Sequence, residues 1–72
     1  MIPYKNLGGD SGVSAYDIEA DQIVVQFTSG KIYKYSYASA GYSNVEEMKR
    51  LAYAGRGLNS FIQRHVRLLY VK

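Results

Sequence analysis

The 72 residues include eight tyrosines but no cysteine and no tryptophan. This excludes disulfides and thiolate metal sites and leaves the core to aliphatic, phenylalanine and tyrosine side chains. The net charge of +3 hides an asymmetry: residues 1–47 hold three basic and six acidic side chains, whereas residues 48–72 hold six basic ones and no acidic one. A chain this short is one domain that buries only about 60% of its unfolded surface, which leaves little room for an enclosed active site.

Residues 1–12, with Pro3, Asn6, Gly8, Gly9, Asp10, Ser11 and Gly12, lack periodicity and read as an extended, flexible leader from which Ile2, Tyr4 and Leu7 are available to dock. It contains no apolar run long enough for a signal peptide, and nowhere do about 18 apolar residues follow one another, so a soluble cytoplasmic protein is expected. The domain proper occupies residues 13–72.

Residues 13–18 form the first predicted strand, and Glu19-Ala20-Asp21-Gln22 turns the chain into a second over residues 23–27. Thr28-Ser29-Gly30 leads into a third over residues 31–37, completing an antiparallel meander. The loop length decides which way the tyrosines face, because a one-residue slip sends every side chain to the other side of the sheet. A two-residue loop would pair Val25 with Lys34 and place a lysine among core residues. A three-residue loop closed by glycine in the left-handed region pairs Phe27 with Lys31, Val25 with Tyr33 and Ile23 with Tyr35. The second arrangement sorts the faces: Ile23, Val25, Phe27, Tyr33 and Tyr35 inward; Gln22, Val24, Gln26, Ile32, Lys34 and Ser36 toward solvent.

Ser43-Asn44-Val45-Glu46 has the spacing of a capping box, which predicts a helix over residues 44–54. Its apolar stripe is Val45, Met48, Leu51 and Ala52, Glu46 stands four before Arg50, and Gly55 follows as a left-handed terminator. Leu58, Phe61, Ile62, His65, Val66 and Leu69 recur at steps of three and four, predicting a second helix over residues 58–69. The fold class is α+β: three strands with two C-terminal helices stacked on one face.

The order of these features resembles the KTSC family, small bacterial domains that take their name from the lysyl-tRNA synthetase C-terminus. The resemblance covers about residues 13–66. It is carried by the pair Tyr16-Asp17, by Tyr33-Lys34-Tyr35, and by Gly55, Asn59 and Ile62 within Gly55-Arg56-Gly57-Leu58-Asn59-Ser60-Phe61-Ile62. The chain departs from the family in carrying Tyr37-Ala38-Ser39 where Val-Pro is usual, Gly57 in place of an aromatic, and Gln63 in place of a basic residue. The family has no established activity; its synthetase context implies RNA binding.

Arg64 and Arg67 share the polar side of the second helix with Ser60 and Gln63, and no carboxylate in that helix can pair with them. They are available to phosphates, or else to Asp17, Glu19 or Asp21 on the hairpin. Gly55-Arg56-Gly57 is either a plain turn and cap or, with free amides and Arg56 aimed at one point, an anion site. Asn59 is placed to cap that helix or to bond the incoming strand. Lys49 and Arg50 lie one turn from Glu46 and Glu47, which suits a self-neutralised face. Tyr33, Tyr35 and Tyr37 alternate as a stacking platform would, although the favoured register makes Tyr33 and Tyr35 core. His65, the lone histidine, reads as packed or capping, since no nucleophile motif accompanies it.

These features predict a non-enzymatic, cofactor-free module binding RNA or another polyanion through Arg56, Asn59, Arg64 and Arg67, with Lys49, Arg50 and Lys72 in support. The alternative is a protein-interaction module, monomeric or weakly dimeric, whose acidic hairpin and basic helix dock complementary surfaces or which pairs with itself through Val24, Ile32, Tyr37 or Leu68.

Overall fold

The chain direction reverses at Thr28-Ser29-Gly30, and the geometry there sets the rest of the sheet. Gly30 takes φ 93°, its N–H donates to the Phe27 carbonyl (2.8 Å), and the Phe27 N–H donates to the Lys31 carbonyl (2.8 Å). This is the expected three-residue loop. Strand by strand, the computed structural model, which describes residues 1–9 and 12–72, contains β1 (Ile2–Pro3), β2 (Val13–Glu19), β3 (Gln22–Phe27) and β4 (Ile32–Ser36). These form one antiparallel sheet in the order β1-β2-β3-β4. Val25 lies opposite Tyr33 and Ile23 opposite Tyr35. Tyr35 is 1% exposed and Ile23 and Val25 are fully covered, while Phe27 and Tyr33 are partly buried against the same core.

The sheet has four strands where the sequence predicts three. The segment read as a flexible leader supplies the extra one: Ile2 pairs with Tyr16 and Pro3 with Ala15, and the Tyr4 N–H then donates to the Ser14 carbonyl (3.0 Å). Asp10 and Ser11 of that segment lie outside the described residues. A second irregularity is the register shift between Val13 and Ala15. A bulge at Ser14 breaks the two-residue alternation, so that Val13 and Tyr16, three apart, both point into the core. Val24, expected in solvent, is buried. It is a short branched side chain on an inner strand, and its cross-strand partners Asp17 and Lys34 are longer.

Helix boundaries differ from expectation for a local reason. The capping box is Ser36 and Ser39: the Ser36 hydroxyl accepts from the Ser39 N–H and the Ser39 hydroxyl from the Ser36 N–H, both at 3.0 Å. It opens a single turn, α1 (Tyr37–Ala40), and Gly41 at φ 94° separates this from α2 (Tyr42–Ala54). Ser43 therefore lies inside the first turn of α2 rather than capping it. Val45, Met48 and Ala52 form the buried stripe of α2, with Leu51 at its margin. Gly55 ends it at φ 77°, its N–H reaching the Leu51 and Ala52 carbonyls. The last helix begins as α3 (Leu58–Phe61) and widens into a π-helical segment (Ile62–Val66), stopping short of the predicted Leu69. Its buried side chains are Leu58, Ile62 and Val66. That spacing of four exceeds the α-helical repeat of about 3.6 residues and suits a widened turn. His65 falls off this stripe and is exposed, its ring 4.6 Å from Phe61.

The chain start and the helix junction meet. Tyr4 is buried and its hydroxyl accepts from the Leu58 N–H (3.3 Å), while the Leu7 N–H donates to the Gly55 carbonyl (2.7 Å). A Cβ on Gly55 would lie 2.8 Å from the Lys5 Cβ. Gly55→Ala therefore combines left-handed backbone strain with a collision and is expected to cost at least about 2 kcal/mol, lowering Tm by roughly 10 °C in thermal denaturation. Gly30→Ala has the same backbone problem with open space around it and should cost only about 1 kcal/mol.

Burial, reinforced by Tyr33 and Tyr70, pushes the Tyr35 hydroxyl up to about 12 from its ordinary 10.0. The unfolded chain ionises this group first, so its contribution to stability is intact below about pH 10 and is lost as pH rises toward 12. Ultraviolet titration should show one tyrosine ionising last, together with unfolding, and Tyr35→Phe should remove that final step.

Candidate nucleic-acid interface

The six cations of residues 48–72 divide by partner. On α2, Lys49 meets the Glu46 carboxylate at 3.0 Å and also donates to the Ala20 carbonyl (3.2 Å) and the Tyr37 hydroxyl (3.4 Å). The Tyr37 hydroxyl itself donates to Glu46. Hydrogen bonds from Tyr37 and then Lys49 hold the Glu46 carboxyl below its usual range. Arg50 grips Glu47 with two bonds, Nε at 2.8 Å and Nη2 at 2.6 Å, and lowers that carboxyl likewise. Both pairs are three apart rather than the expected four. Lys49 and Arg50 are thus engaged within the fold, and Lys49 ties the β2–β3 turn to α2.

Arg56, Arg64 and Arg67 are exposed, and none has a carboxylate partner among the described residues. The hairpin acids are not recruited: Asp17 faces the N-terminal ammonium (3.9 Å), and Glu19 accepts from the Gln22 amide (2.8 Å). The Lys72 ammonium lies 5.9 Å from the centre of the Tyr70 ring.

These arginines do not converge on one point. Arg56 borders a shallow cleft of about 150 Å³ with Tyr4, Gly57 and Ser60, whereas Arg67 borders a larger groove of about 460 Å³. Arg64 lines neither, and Asn59 lines both. Of the two readings of Gly55-Arg56-Gly57, the plain turn gains support where the Leu58 N–H is given to the Tyr4 hydroxyl (3.3 Å). Asn59 does not cap that helix; its amide lies over Gly12, where an added Cβ would meet Oδ1 at 3.4 Å.

The larger groove runs between the β3–β4 turn and the C-terminal tail. After the π-helical segment, the Leu69 N–H bonds the Val66 carbonyl (2.8 Å) and the Val71 N–H bonds the Lys34 carbonyl (2.6 Å), which brings the tail back along β4. Tyr70 is thereby set against Tyr33, ring centres 4.6 Å apart at 43°, and Tyr33 meets Phe27 edge to face at 5.7 Å. Gln63 and Asn59 supply amides to the wall, Thr28 and Ser29 hydroxyls, and Arg67 a cation. An alternating tyrosine platform on β4 is not formed, since Tyr35 is buried and Tyr37 is held by Glu46. Tyr33 instead joins rings from two other segments. Tyr70 is the aromatic that sequence reasoning missed: it follows the last periodic residue, and only the folding back of the tail gives it a neighbour.

Among the described residues no cluster of histidine, aspartate or glutamate could hold a metal ion, and no helix is long and apolar enough to cross a membrane. Comparison with protein-family models, with curated proteins and with solved structures returned no match.

Proposed function

We propose that this chain is a non-enzymatic binding module for single-stranded nucleic acid, RNA before DNA, whose C-terminal region meets phosphates through Arg56, Arg64 and Arg67, with Lys72 in support. One contrast carries the reading: α2 neutralises its own cations, while the segment after it presents arginines with no carboxylate partner among the described residues. A surface of unpaired guanidinium groups attracts a polyanion and offers bidentate donors to phosphate. The KTSC resemblance, with its synthetase context, supports the choice of RNA. Lys49 and Arg50 drop out of the binding set because their partners are already in place.

A second reading rests on a separate observation. Ile32 and Leu68 are 55% and 64% exposed, which suits self-association through either apolar side chain; Val24 and Tyr37, grouped with them in that reading, are covered or engaged.

Three or four phosphate contacts on a single strand give a salt slope of about −2 to −3 in log affinity against log salt concentration. Anisotropy titration of a labelled single-stranded RNA at low salt should show that slope. Replacing Arg56, Arg64 and Arg67 together by alanine should weaken binding roughly 10- to 100-fold, whereas Arg50→Ala should change it less than about twofold. Absence of binding, together with a concentration-dependent dimer in sedimentation, would favour the second reading.

A further inference from the structure

We infer that the groove between the β3–β4 turn and the C-terminal tail holds one unstacked base of the bound strand. This rests on the nucleic-acid reading and assigns a second component to it, a base site beside the phosphate contacts. The groove, at about 460 Å³, falls in the usual range of small-ligand sites, roughly 300 to 1,000 Å³. Its wall combines the three elements by which proteins hold a splayed base: aromatic rings, side-chain amides and a cation for the adjoining phosphate.

Each element has a named source. Phe27, Tyr33 and Tyr70 supply the rings; Gln63 and Asn59 each offer a donor pair and an acceptor to a base edge; Arg67 stands at the same wall without a carboxylate partner among the described residues. The base stacks on a ring face rather than entering between Tyr33 and Tyr70. Their centres are 4.6 Å apart, and an intervening base would need about twice the 3.4 Å stacking distance of nucleic acids. Aromatic walls also suit quaternary or methylated ammonium ligands. Here Arg67 at the wall and Lys72 beside the Tyr70 ring repel a cation and favour an anionic nucleotide.

The test compares three octamers of equal phosphate count: oligoadenylate, oligouridylate and an abasic ribose-phosphate strand. Oligoadenylate is expected to bind about tenfold more tightly than the abasic strand, as stacking of one base allows. Chemical shifts should move at Phe27, Tyr33, Gln63 and Tyr70. Gln63→Ala, an exposed position, should reduce the base-dependent ratio about fivefold while leaving abasic affinity unchanged. Tyr70→Leu should abolish the ratio, with retained protection of the Val71 amide confirming that the tail stays docked. Equal binding of all three octamers, lost on replacing the three arginines, would overturn the base site and leave the phosphate reading standing. Binding of none would overturn both. Tighter binding of tetramethylammonium than of adenosine monophosphate would assign the groove to cations and overturn the base site alone.

Discussion

The pairing of β3 with β4 is the constraint on which the remaining structure depends. Three residues, Thr28, Ser29 and Gly30, put Val25 opposite Tyr33 and Ile23 opposite Tyr35. A slip of one position would bring Lys34 to the core side and turn Tyr35 to water. The stripes of α2 and of the last helix would then lose Tyr35, the largest fully buried side chain, and meet a lysine in its place, and Tyr33 would leave both Phe27 and Tyr70. Glycine at φ 93° is what permits the tighter alternative to be avoided. A local backbone conformation thus decides the composition of the core and the aromatic wall of the groove.

What was legible in the sequence follows from which signals are local. The turn chemistry at 28–30, the inward set Ile23, Val25 and Tyr35, the stripe Val45-Met48-Ala52 and the terminator Gly55 all operate within a few residues and are readable; the burial of Val24 is not, since it depends on the strands to either side. Docking of the first residues was not, because its cause lies far along the chain: Tyr4 meets Leu58 across 54 positions. The bulge at Ser14 has no local signal, because Val13 and Tyr16 break alternation without a glycine at the bulge itself. The cap at Ser36 is masked in the sequence by the stronger spacing of Ser43 and Glu46, and Glu46 is drawn instead to Tyr37 and Lys49. Spacing names candidate partners; competition among them is settled only in three dimensions.

The same competition separates the cations. Net charge treats Lys49 and Arg67 alike, yet one is bonded to a carboxylate, a carbonyl and a phenol, and the other stands open at a groove. The folded arrangement divides the basic half into an engaged pair on α2 and, beyond Gly55, three exposed arginines with no carboxylate partner among the described residues. The Arg50–Glu47 pair is exposed and adds little stability, whereas the mostly covered Lys49 joins α2 to the turn after β2. The groove was the least readable feature, since its rings come from β3, β4 and the tail and no short window of sequence contains them together.

The close approach of Lys5 and Leu7 to Gly55 has a kinetic corollary. Residues 2–7 can add to β2 early, but the seat for Tyr4 and Leu7 exists only once residues 55–58 have turned the corner between the helices. That clasp joins residues 54 positions apart, and contacts of such long sequence separation slow folding because the intervening loop must close before they form. During synthesis residues 2–7 therefore wait, unlatched, until residues 55–58 have been made.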